Sequence, residues 1–123
     1  MKNRLIACLL LSSIACVAQA DYLDVIAFKL RPACSMADFQ QLNKQMNDWG
    51  KKYGLRSEVV VPIYSDVPYG VAWIGRNSDA TSGGKAWDAW RTARDAGEEP
   101  VKSMNARWTE CTEISYRRAF DTY

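Results

Sequence analysis

The chain contains no histidine. That absence excludes Ser-His-Asp and Cys-His catalysis, a histidine-held haem and the usual His-containing zinc sites. Cysteine is sparse, with four residues in all, at positions 8, 16, 34 and 111. There is no Cys-x-x-Cys pair of the redox type. No dense Lys/Arg run occurs, so a nucleic-acid surface lacks its electrostatic basis. Gly83-Gly84-Lys85 is not a phosphate loop, because the spaced glycines before Lys-Ser/Thr are missing. Beyond the N-terminus, no segment is long and apolar enough to span a membrane.

The one apolar run, residues 5–15, is too short to span and reads as the core of an export signal. Lys2 and Arg4 precede it, and Val17-Ala18-Gln19-Ala20 is a small-x-small cleavage site. Cleavage after Ala20 is expected, leaving one domain over residues 21–123 and placing the protein in the periplasm or outside the cell. The alternative is lipidation at Cys16, although Ser-Ile-Ala before it lacks the usual Leu. Removing Lys2 and Arg4 brings the 16 basic residues level with the 14 acidic ones, so the apparent basicity belongs to the signal. Cys8 and Cys16 leave with it. Cys34 and Cys111 remain, and two cysteines in an exported domain usually pair. With both tied up, no transition-metal site and no cofactor are expected.

The clearest structural signal lies in residues 36–53. Phe39, Leu42, Met46, Trp49 and Tyr53 are spaced three, four, three and four, which puts all five on one helical face. Ser35 is a good N-cap, with Asp38 three residues on. Gly54 suits the left-handed position that ends a helix. Before this helix, residues 22–30 read as a strand. Leu23, Val25 and Ala27 alternate with Tyr22, Asp24, Ile26, Phe28 and Leu30, so both faces should be covered. Residues 58–64 are rich in β-branched side chains on both faces, and Pro62 marks an edge strand or a bulge. Ser65-Asp66-Val67-Pro68 is a turn. Residues 69–76 form a third strand, with Val71, Trp73 and Gly75 on one face and Ala72 and Ile74 on the other. A polar loop is expected over 77–84 and a helix over 85–96. A second helical segment follows over 101–108, and a last strand over 113–120 carries Ile114, Tyr116, Arg118 and Phe120 on one face.

Strand, helix, strand, strand, helix, strand is the ferredoxin-like α+β pattern, with a four-stranded antiparallel sheet in the order 4-1-3-2. That order sets the end of the first strand beside the start of the last. Cys34 and Cys111 then fall together, within the separation a disulfide demands. Both helices lie on one sheet face. The first two strands look apolar on both sides, so a partner sheet is the economical cover. In element order, size and long first helix, the chain resembles the dimeric α/β-barrel superfamily, in which two such sheets pack face to face. The resemblance implies a homodimer through the sheet face. It also admits cofactor-free monooxygenases, isomerases and proteins without assigned activity, so the fold does not select a function.

Members of that superfamily commonly hold a pocket between sheet and helices. The five tryptophans either fill a small core or line such a pocket. In the second case Trp73, Trp87 and Trp90 form aromatic walls, and Tyr64 and Tyr116 supply hydroxyls. Arg76, Arg91 and Arg118 are candidates to meet an anionic group. Lys29, which shares a face with Leu23, Val25 and Ala27, and Arg118 can equally snorkel at the rim. Asn105 or Asn77 beside a tryptophan and an arginine is analogous to cofactor-free oxygenase sites. Glu98-Glu99 sits at a helix break and reads as solvent-facing. Three functions stand open: an exported homodimer binding a small aromatic or apolar ligand, a cofactor-free oxygenase or isomerase, and an interaction protein with a filled core.

Overall fold

The computed structural model describes residues 21–63 and 70–122. The expected export signal, Tyr64 and the turn at 65–68 lie outside the described residues. The elements run β1 (Tyr22–Leu30), α1 (Met36–Gly50), a 3-10 turn (Lys51–Tyr53), β2 (Arg56–Val60), β3 (Val71–Asn77), α2 (Ala80–Asp95), α3 (Val101–Cys111) and β4 (Thr112–Asp121). The four strands pair antiparallel in the order β2-β3-β1-β4. This is the ferredoxin-like α+β fold, with β3 and β1 at the sheet centre and the helices packed against one face. No helix among the described residues is long and apolar enough to cross a membrane.

Helix α1 forms for the reasons its sequence states. Ser35 Oγ accepts the Asp38 N–H at 3.2 Å, and the Ser35 N–H donates to Asp38 Oδ2 at 2.9 Å. This reciprocal pair satisfies two donors that the first turn would leave open. The Ser35 hydroxyl, donating to Asp38 Oδ2 at 2.7 Å, holds the Asp38 carboxyl below its ordinary pKa. Phe39, Leu42 and Met46 are buried, with Trp49 and Tyr53 packed beside them. Gly54, at φ 68°, takes the left-handed conformation that turns the chain into β2.

Three expectations need correction. The loop expected over 77–84 is half helix, because α2 begins at Ala80. Asp79 caps it by accepting the Ser82 N–H at 2.7 Å, and that cap outweighs the low helix propensity of Gly83-Gly84. Gly83 has its own reason: a Cβ there would lie 2.6 Å from the Tyr22 ring. The second strand is Arg56–Val60: it starts two residues before position 58 and stops before Val61. Pro62 has no N–H for the ladder, and Val61 and Ile63 beyond the strand are exposed. Opposite Arg76 and Ile74, the strand presents Arg56 and Glu58, so its outward face is charged rather than apolar. Glu58 accepts from Arg76 Nη2 there at 2.8 Å.

The third correction concerns β4. Its register against β1 slips between Ala27 and Phe28, so Tyr116 opposes Ala27 and Ile114 opposes Phe28. The extra residue is a β-bulge, and a bulge reverses the facing of everything on one side of it. Ile114 therefore turns to the helix side with Phe28. Tyr116, Arg118 and Phe120 stay on the outer side with Ala27, Val25 and Leu23. The strict alternation expected for Ile114, Tyr116, Arg118 and Phe120 is broken at its first member.

The core lies between sheet and helices. Trp73, Phe28, Phe39, Met104, Val101 and Cys111 are fully buried. All five tryptophans belong to one train of ring contacts. Phe39 meets Phe28 at 4.7 Å between centroids and Phe28 meets Trp108 at 5.7 Å. The train then runs through Trp73, Trp87, Trp90 and Trp49 to Tyr53. Cys34 and Cys111 form a disulfide, with Cα atoms 5.2 Å apart. It ties the entry of α1 to the junction of α3 and β4, where the Arg31 N–H also bonds the Cys111 carbonyl at 2.9 Å.

Candidate ligand-binding cleft

A cleft of about 310 Å³ opens between α2, α3 and the helix-side face of β1 and β4. Trp87 and Trp90 come from α2, about one helical turn apart. Trp108 comes from α3. Buried Ile26 of β1 and exposed Ile114 of β4 supply aliphatic lining, and the bulge is what brings Ile114 there. Met46 of α1 closes the inner end. Three guanidinium groups surround this apolar surface: Arg91 and Arg94 from α2, and Arg117 from β4. Asn105 and Thr109 complete the α3 wall. The Thr109 hydroxyl donates to the Asn105 carbonyl at 3.0 Å.

Arg117 is the most firmly held of the three cations. Its Nε donates to Asp24 Oδ1 at 2.9 Å and its Nη2 to Asp24 Oδ2 at 2.6 Å. The guanidinium carbon also lies 4.1 Å from the centre of the Trp87 ring, a cation–π contact that braces the indole. Hydrogen bonding to Asp24 raises the Arg117 pKa, against the opposing effect of partial burial. Asp24 itself is buried, so the fork of Arg117 neutralises a carboxylate that would otherwise be stranded on the helix side of β1. Nearby, burial first and the Asp24 charge second raise the pKa of the Tyr22 phenol.

The sequence candidates separate into three groups. Trp87, Trp90 and Arg91 meet at the cleft. Trp73 does not reach it: the side chain is fully buried, and its Nε1 donates to Asn43 Oδ1 at 3.0 Å. The space beside it is about 10 Å³, too little for a ligand. Tyr116 and Arg118 lie on the opposite face of the sheet, where the Arg118 guanidinium sits 5.2 Å from the Tyr116 ring centre. Tyr64 lies outside the described residues. Of the remaining polar candidates, Arg76 pairs with Glu58 on the outer face. Asn77 is buried and donates to the Tyr53 carbonyl at 3.2 Å. Asn105 is at the cleft.

Sequence reasoning missed Arg117, Asp24, Arg94 and Trp108 as partners in one site. Arg117 was hidden because strict alternation made its neighbour Arg118 look core-facing. A usable signal was Asp24, a carboxylate in the middle of an otherwise apolar strand. Such a residue calls for a cation from an adjacent strand.

The architecture thus defines a ferredoxin-like α+β domain with an aromatic cleft between its helices and the β1–β4 half of the sheet. No protein-family model matches the chain, and neither does any curated protein. Among solved structures, it is similar to a dimeric protein of unknown function with a ferredoxin-like fold from Bacteroides fragilis. The two share 13% identity over 83% of this chain and 94% of that one, with a TM-score of 0.41. It is also similar to a dabb-family protein with a ferredoxin-like fold from Mesorhizobium loti. That pair shares 13% identity over 85% and 97% of the two chains, with a TM-score of 0.43.

Proposed function

We propose that this protein is an exported binding domain for a small aromatic or apolar molecule, held in the cleft between α2, α3 and β4. The observation that carries the reading is the convergence of Trp87, Trp90 and Trp108 on one open concavity of about 310 Å³. That volume is at the small end of ligand pockets, and indole walls with a few convergent polar groups are what such pockets use. The Cys34–Cys111 bridge supports export, since structural disulfides persist in oxidising compartments.

Titration with indole should give saturable quenching of the intrinsic tryptophan fluorescence. Trp87→Ala, which removes the central wall and the platform for Arg117, should weaken that binding by about tenfold or more. A linear, unsaturated response in the wild type would dispose of the cleft as a binding site. Asn105, beside tryptophans and arginines at the same cleft, favours a second reading as a cofactor-free oxygenase or isomerase. Turnover of an aromatic substrate without added metal or flavin would select it.

The proposal includes a two-fold dimer through the sheet face away from the helices. Leu23, Val25, Ile74, Tyr116 and Phe120 share that face by strand register, and Phe120 is 47% exposed. These apolar side chains share the face with Arg118 and the Arg76–Glu58 pair, and a second copy supplies a symmetric cover for the apolar part. Light scattering at micromolar concentration should give twice the chain mass, and Phe120→Lys should return it to the monomer mass. A wild-type monomer at that concentration would refute the dimer.

A further inference from the structure

The residues lining the cleft include Arg91, Arg94 and Arg117 and no Asp or Glu. The charge of Arg117 is already met by buried Asp24. The other two guanidinium groups are met differently. Arg94 donates through Nε to Asp95 at 2.8 Å, and Arg91 donates through Nη2 to Asp88. Asp95 and Asp88 are well exposed, at 68% and 72% of their side chains, and neither lines the cleft. Exposed pairs of this kind are weak, and a bound anion can replace them at little cost. The Nε contact of Arg94 leaves its two terminal nitrogens for a bidentate partner at the cleft. Asn105 lines the same space from α3, and its amide can donate.

From a lining that holds cations but none of their carboxylate partners, we infer that the ligand is an acid: a flat aromatic body between the tryptophans with one carboxylate at the Arg91–Arg94 side. The inference rests on the reading of the cleft as a binding site and adds the charge class to it. Ile26 and Ile114 supply aliphatic contacts to the ring system. Arg117 acts by position, keeping Trp87 upright, and its bound Asp24 prevents it from competing for the carboxylate. The Arg94 fork and the Asn105 amide take the two carboxylate oxygens, with Arg91 adding a second positive charge.

The test compares 2-naphthoate with 2-naphthamide, a neutral molecule of the same shape, by calorimetry on the protein as purified. The naphthoate should bind about tenfold tighter or more. In the R91Q/R94Q double variant that preference should shrink to about twofold or less, and raised salt should erode it in the wild type. Equal affinities for acid and amide in the wild type would overturn the inference and leave the cleft as an apolar site. A preference that survives in R91Q/R94Q would overturn it too, by assigning the anion to another group. Failure of both probes to bind would remove the acid reading together with the cleft itself.

Discussion

Replacing Cys34 and Cys111 together by Ser is expected to be among the most damaging changes this fold can suffer. The bridge closes a loop with a sequence separation of 77 residues. In the chain-entropy account, releasing such a loop favours the unfolded state by about 4 kcal/mol. For a domain of this size, that corresponds to a fall in Tm of roughly 15 °C or more. The native side adds to the loss. Cys111 is fully buried where α3 runs into β4, and Cys34 is packed in the same core at the entry to α1. Two serine hydroxyls there would need partners that the apolar surroundings do not offer. Thermal unfolding of the double variant against the wild type, followed by far-UV circular dichroism, measures the effect. Intact mass with and without reductant, in denaturant, verifies the bond. A Tm within a few degrees of the wild type would show that the bridge contributes no more than an ordinary core contact.

Trp73→Ala should cost about 3–5 kcal/mol, the usual range for deleting a fully buried large aromatic. The ring fills the space between β3 and α2, touching Trp87 and Trp108 edge-on at centroid distances of 6.0 and 6.1 Å. Its Nε1 donates to Asn43, whose Oδ1 also accepts the Ser57 hydroxyl at 2.6 Å. The truncation therefore opens a cavity and removes one donor from a network that fastens α1 to β2. The fit is tight from the backbone side as well. A Cβ at position 75 would lie 2.5 Å from Trp73 Cη2, so Gly75 is the space the indole occupies. Gly75→Ala should be destabilising in its own right, since a rigid ring cannot give way as a flexible chain end would. Trp73→Phe keeps much of the apolar volume but loses the hydrogen bond, and should fall between wild type and Trp73→Ala. Urea unfolding gives the order. If Trp73→Ala lost less than about 1 kcal/mol, the ring would not be the core element described above.

These expectations mark how far the sequence reading reached. The spacing of Phe39, Leu42, Met46, Trp49 and Tyr53 was enough for α1, because a regular helix turns the same fixed step at every residue. Ser35 and Asp38 marked its start, and Gly54 the end of the 3-10 turn that follows it at Lys51–Tyr53, because capping and left-handed backbone are decided within a few residues. The βαββαβ order carried the strand order, and the strand order carried the Cys34–Cys111 pairing. Boundaries were weaker where two local signals competed. Gly83-Gly84 argued for a loop, but in the fold Asp79 caps a helix that begins at Ala80 and carries both glycines.

The candidate site was less accessible. Three of its named residues, Trp87, Trp90 and Arg91, lie on a single helix, where sequence spacing translates directly into a common face. The rest required contacts between segments far apart in the chain. Arg117 and Asp24 meet across 93 positions, and the face that Arg117 occupies depends on the bulge beside Phe28. Nothing in the local sequence announces that bulge, and a one-residue slip reverses inside and outside for a strand. Composition could not tell Trp73 from Trp87 either. Both are tryptophans near the middle of apolar patterns, but one is enclosed on every side and the other stands at an open wall.

The sequence alone therefore determined the features that depend on short-range geometry and chain order: helix α1 and its N-cap, the fold class, the sheet order and the disulfide. Only the tertiary structure decided which tryptophans border the cleft and that Arg117, not Arg118, faces the helices. It also decided that the β2 edge is charged on its outer side. Those outcomes depend on register and on which neighbours arrive to cover a side chain, and each is settled by the whole packed molecule rather than by any segment of it.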